Sequence, residues 1–132
     1  MPRTDHRQGA SLLSRLGALC YAAWGLFHVK VAADIWRLGA GQQGLAQARL
    51  YQLAAYMLTI ALFVLVVGLW RNWRNDKSGY WLNLAVAGWA DSIWVLVVVV
   101  PGYVDLVRGL VPPAFYVAGA VLTTLARRDR ER

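Results

Sequence analysis

The chain has 132 residues, 58% of them hydrophobic, with seven tryptophans and a mean hydropathy of +0.41; this lies outside the usual range for a soluble domain of its size and marks a polytopic membrane protein. A formal charge of +7 raises nucleic acid as a partner, but the basic residues are neither gathered on one helix face nor interleaved with exposed aromatics, so that class is excluded. Cys20 is the sole cysteine, which excludes an intramolecular disulfide, a paired-cysteine redox motif and a cysteine-based metal site within one chain.

Four apolar runs, about residues 16–36, 50–70, 80–100 and 109–125, each approach the ~20 residues that cross ~30 Å of hydrocarbon as a helix. They predict an all-α fold: one transmembrane domain over residues 1–132, an up-down-up-down four-helix bundle joined by short connections. The first run is longer than the ~7–15 apolar residues of a signal peptide, so it is expected to stay in the mature protein. Leu19 stands before Cys20 where a lipoprotein signal would carry a small residue, and Cys20 reads as an apolar filler.

In the first span, WGLFHVKVAADIWR (residues 24–37) places His28, Lys30 and Asp34 within two turns of an otherwise apolar helix. Lys30 and Asp34, four apart, can pair along one helix face near the interface. The polar connection AGQQGLAQAR leads to the second span, which carries Tyr56 and Thr59. The basic turn RNWRNDKSG follows, then a third span with Trp89, Asp91, Ser92 and Trp94, in which Asn83, Ala87 and Asp91 fall at i, i+4 and i+8. After PGYVDLVRG, Pro112 and Pro113 are expected to delay the regular fourth helix to about Ala114. That span then carries Tyr116. Ala18 with Ala22 and Ala114 with Ala118 are small pairs at helical spacing, expected at packing faces. Trp36, Tyr51, Trp70, Trp73, Tyr80, Trp81 and Tyr103 lie near span ends, where amphipathic rings anchor at the headgroup level.

Ten basic residues (Arg3, Arg7, Arg15, Arg71, Arg74, Lys77, Arg127, Arg128, Arg130 and Arg132) fall on one side of this layout and three (Arg37, Arg49 and Arg108) on the other. The positive-inside rule therefore predicts cytoplasmic N- and C-termini in a bacterial inner membrane. Counting ~1.5 Å per residue from each span's midpoint puts His28 about 3 Å, and Thr59, Asp91 and Tyr116 about 1.5 Å, outward of centre, in one layer. An aspartate at that depth costs about 2.5–3.5 kcal/mol to insert and normally faces the bundle interior with a partner. His28 is its best partner by depth. The two are expected to form a proton-exchange pair in a polar pocket of the outer half, with Trp24, Tyr56, Thr59, Trp89, Ser92, Trp94 and Tyr116 as ligand-binding walls and Lys30 and Asp34 at the rim.

Trp24-Gly25-x-x-His28, the four-span layout and the aromatic-rich GYWLNLAVAGWADSIW resemble the small bacterial inner-membrane proteins grouped as DoxX-like. That resemblance implies a four-helix membrane protein and brings no assigned activity. The tryptophan content is similar to that of tryptophan-rich sensory proteins, which bind porphyrins and sterols in five helices rather than four.

The sequence thus predicts a pocket that binds, and can act on, a lipophilic small molecule such as a quinone, an isoprenoid or a sterol-like compound. One alternative is an oligomeric proton-coupled transporter or channel titrating at Asp91. The other is an accessory subunit of a membrane complex. No cofactor or metal is expected, because His28 is the sole histidine in a span and no clustered Cys/His spacing exists. The expected partners are the lipid bilayer, the lipophilic ligand and, in the alternatives, further copies of the chain or a larger complex.

Overall fold

The computed structural model describes residues 6–131, so Arg3 and Arg132, two of the basic residues counted above, lie outside the described residues. Every regular element is helical: α1 (His6–Ala40), α2 (Gly44–Trp70), a 3-10 turn (Asn72–Arg74), α3 (Lys77–Trp94) running into a wider helical turn (Val95–Val99), the single-turn α4 (Leu106–Gly109) and α5 (Val111–Glu131). Among the described residues, four segments are long and apolar enough to cross a membrane: Leu12–Ala40, Gly44–Arg74, Lys77–Val99 and Leu106–Arg130. The chain is thus a multi-pass membrane protein. The segments overrun the apolar runs at most ends, because helical hydrogen bonding continues into residues that suit the interface.

The connections are built from specific caps. Asp76 caps α3 by accepting hydrogen bonds from the Ser78 and Gly79 amides, at 2.7 and 3.2 Å. Asn75 before it takes the left-handed conformation (φ 55°, ψ 38°) that closes the 3-10 turn. After Pro101, Gly102 takes φ +81°, where a side chain would be strained.

Pro112 and Pro113 do not delay the fourth long helix. It is already helical from Val111, because both prolines occupy its first turn, where backbone amides have no intrahelical acceptor to lose. The Ala114 amide makes the first bond past them, donating to Leu110 O at 3.0 Å.

α1 packs chiefly against α2 and α5, and α3 against those same two helices, so α1 and α3 face each other across a diagonal. Small residues permit the close contacts. A side chain at Gly25 would lie 2.9 Å from Ala61 O on α2, and one at Gly17 would lie 3.2 Å from Gly119 O on α5. Ala18 and Ala22 are buried as expected, but Ala114 and Ala118 are exposed. The packing face of α5 is carried instead by Gly119, Thr123 and Ala126, which are buried. At its centre the bundle closes on Tyr21, Trp24, Val64 and Ala87, with Ile60, Val86, Ala90 and Tyr116 against them. Leu26, Leu62, Val66, Leu96, Val97 and Val117 are exposed, a surface that suits hydrocarbon as solvent.

Candidate functional site

Asp91 lies on α3 at 4% exposure, eight residues after Asn83 on the buried stripe that also includes Gly79 and Ala87. Across the diagonal, Trp24 of α1 is fully buried. Its indole Nε1 donates to both carboxylate oxygens, at 3.1 and 3.0 Å. A ring this large is what spans the diagonal, because the two helix backbones make little direct contact. His28, one turn further along α1 and 7% exposed, stacks on the same indole with centroids 3.7 Å apart and planes 27° from parallel. Phe27 meets it edge-on at 5.5 Å.

The expected His28–Asp91 pair is therefore a three-membered arrangement, with Trp24 between the two titratable groups. His28 Nδ1 lies 2.8 Å from Trp24 O. A carbonyl only accepts, so Nδ1 carries the proton and Nε2 of the neutral ring is left as an acceptor. Nε2 makes no hydrogen bond among the described residues. Asp91 accepts from one N–H where a carboxylate has about four acceptor sites. Two acceptors with spare capacity thus flank one indole in the middle of the bundle.

The other expected walls divide by helix face. Tyr116 is half-buried; its hydroxyl donates to Leu84 O at 3.2 Å and occupies the space left by Gly88. Trp94, one turn beyond Asp91, donates from Nε1 to Gly109 O at 2.8 Å and ties α3 to α4. Both stay with the interior.

Trp89 is 71% exposed and Tyr56 59%. Thr59 and Ser92 are exposed and donate to carbonyls of their own helices, Ala55 O at 2.9 Å and Gly88 O at 2.7 Å. These four turn away from the Trp24–Asp91 cluster. Lys30 does pair with Asp34, at 2.5 Å, and Arg37 adds a second cation at 3.2 Å. The trio lies along the outside of α1, with side-chain exposures of 71% for Lys30, 45% for Asp34 and 77% for Arg37.

Sequence reasoning passed over two features. The first is the pair of buried polar residues Tyr21 and Asn72, which join Asn83 of the expected stripe toward the Arg71–Asp76 end: the Asn83 carbonyl and both polar atoms of the Asn72 amide lack a hydrogen-bond partner among the described residues. Asn83 keeps one bond, from Nδ2 to Val64 O at 3.2 Å. Tyr21 could have been found from its spacing, since residues 14, 21, 24 and 28 fall on one helical stripe. The second is the wide turn after Asp91, where the Val100 amide donates to Val95 O at 2.8 Å and the Tyr103 amide to Val98 O at 3.1 Å, both i to i+5 bonds. Such turns often accompany functional sites in helices.

The chain matches no protein-family model, and neither curated proteins nor solved structures show a similarity to it.

Proposed function

We propose that this protein is an inner-membrane four-helix bundle with cytoplasmic termini, in up-down-up-down order, whose Trp24–His28–Asp91 site receives the hydroxylated head of a lipophilic molecule. The observation that carries the reading is the pair of under-used acceptors. Asp91 and His28 Nε2 both have unused acceptor capacity, and neither offers a donor while Asp91 is ionised and His28 is neutral. A quinol, an isoprenoid alcohol or a sterol-like alcohol supplies O–H donors on an apolar body, which matches that chemistry. Trp24, Tyr116 and Trp94 would hold the body, and the two acceptors would orient the head or take its proton.

The test is equilibrium binding of a long-chain quinol to the protein in nanodiscs, with mass spectrometry of lipophilic molecules that co-purify. His28→Leu should weaken binding about tenfold or more, the effect of losing one hydrogen bond of about 1.4 kcal/mol in a dry site. Asp91→Asn keeps an acceptor for the Trp24 N–H and should preserve the fold while abolishing any infrared carboxyl signal that changes on ligand addition. Unchanged quinol binding in His28→Leu and Asp91→Leu, both folded, would overturn the reading. Proton-coupled movement of a cation that depends on Asp91 would favour the transporter alternative, which rests on the same buried carboxylate.

A further inference from the structure

At the opposite end of α3 from Asp91 the chain builds a cavity. It has a volume of about 420 Å³ and is lined by Asn75, Asp76, Lys77, Arg127 and Arg130. Its walls are held by two bonds between the α2–α3 connection and the end of α5: Asn75 Nδ2 donates to Ala126 O at 3.1 Å, and Arg130 donates to Asn75 O at 3.1 Å. Among the described residues of the lining, three cations stand beside one anion, Asp76. That anion is already engaged, since Asp76 accepts from Ser78 and Gly79 and has Arg71 at 3.8 Å.

The depth of this cavity follows from its neighbours. The Arg127 guanidinium sits 5.0 Å from the centre of the Tyr80 ring, and Tyr80 packs edge-on against Trp81 with centroids 5.0 Å apart. An aromatic pair at the end of a membrane-spanning helix sits at the headgroup level. The cationic lining therefore meets the layer where lipid phosphates lie. Like basic hollows between spans elsewhere, it suits a headgroup phosphate. Arginine supplies a planar fork for phosphate oxygens and lysine a point charge.

We propose that this cavity is a binding site for the phosphate of a net-anionic glycerophospholipid. A zwitterionic lipid would bring its own ammonium group against Lys77, Arg127 and Arg130. A lipid with a neutral, hydroxyl-bearing headgroup brings only the phosphate charge.

The full-length protein is purified in a zwitterionic detergent and titrated with phosphatidylglycerol or phosphatidylcholine, and bound lipids are counted by native mass spectrometry. Phosphatidylglycerol should be retained at least tenfold more strongly than phosphatidylcholine. The double variant Lys77→Gln, Arg127→Gln should lose that preference, and Arg49→Gln, Arg108→Gln, which removes two cations elsewhere, should keep it. Melting in phosphatidylcholine alone monitors the fold of both variants, and Lys77→Gln by itself should give part of the loss, because Lys77 makes no bond among the described residues that its removal would break. Equal loss in the two double variants would mean diffuse charge attraction and overturn the site. Inorganic phosphate that displaces phosphatidylglycerol at micromolar concentration would also overturn it, by assigning the cavity to a soluble phosphate. Neither outcome bears on quinol binding at Trp24, His28 and Asp91.

Discussion

At the residue scale the decisive contact is one indole N–H shared by two carboxylate oxygens. Trp24→Phe keeps most of the ring and its stacking on His28 but removes the donor that Asp91 relies on. A buried polar group stripped of its partner costs about 1–3 kcal/mol, and more when charged. Trp24→Phe should therefore lower the melting temperature in detergent more than Asp91→Asn does. Adding Asp91→Leu to Trp24→Phe should recover part of the loss, because no orphaned acceptor is then left. Additive effects across this double-mutant cycle would show that the bond contributes nothing.

Depth counted along the sequence brings the Trp24–His28 turn of α1 to Asp91 of α3, where the two helices do meet, but it does not give azimuth. Counting along the chain places Trp89, Asp91 and Ser92 in one layer, yet neighbours on a helix differ by about 100° and residues two apart by about 200°. Trp89 therefore lies opposite Asp91 and Ser92 to its side. The same rotation separates Lys30 from His28, and Tyr56 and Thr59 fall off the buried stripe of α2 that carries Ala54, Ala61, Val64 and Gly68.

At the element scale, the start of α3 depends on Asp76. The Ser78 hydroxyl, then the Gly79 and Ser78 amides, then Arg71 hold its carboxyl below the ordinary value of 3.8 against a small opposing effect of burial. A carboxyl whose folded value is depressed contributes its full stabilisation above the unfolded value and loses it as pH falls through the folded one. Thermal unfolding followed from neutral to acid pH should thus show a loss of stability in this low-pH window. Asp76→Ala should remove that component and, through the lost cap, about 0.5–2 kcal/mol at neutral pH. A pH profile identical in the two proteins would deny the cap that role. Capping was readable in principle from the Asn-Asp-Lys-Ser turn, but the proline pair was misread because its effect depends on position. In the first turn of α5 it displaces no hydrogen bond, whereas two turns later it would break the helix.

At the scale of the whole molecule, the four spans were open to direct reading because hydropathy is a property of each residue with its solvent. Which faces meet is a property of pairs, and the glycines that set it carry no hydropathic signal: Gly17, Gly25 and Gly88 matter through the distance to Gly119, Ala61 and Tyr116. The proposed orientation has its own check. Reporter fusions after Gly41 and Gly102 should read periplasmic, and those after Lys77 and Arg132 cytoplasmic; reversal at Lys77 would refute the order of the spans. Lastly, the wide turn after Trp94 amounts to simple arithmetic. Each i to i+5 ring there contains one residue more than an α-helical ring, so the segment carries the equivalent of a single-residue insertion. Removing Val98 should let the end of α3 relax to ordinary helix, with the Pro101–Asp105 connection absorbing the offset and Asp91 still meeting Trp24. Removing Val86 instead has no spare residue to draw on. It would swing Asp91 about 100° around the axis relative to the helix before it, and cross-linking or melting should register the loss of the diagonal contact in that deletion alone.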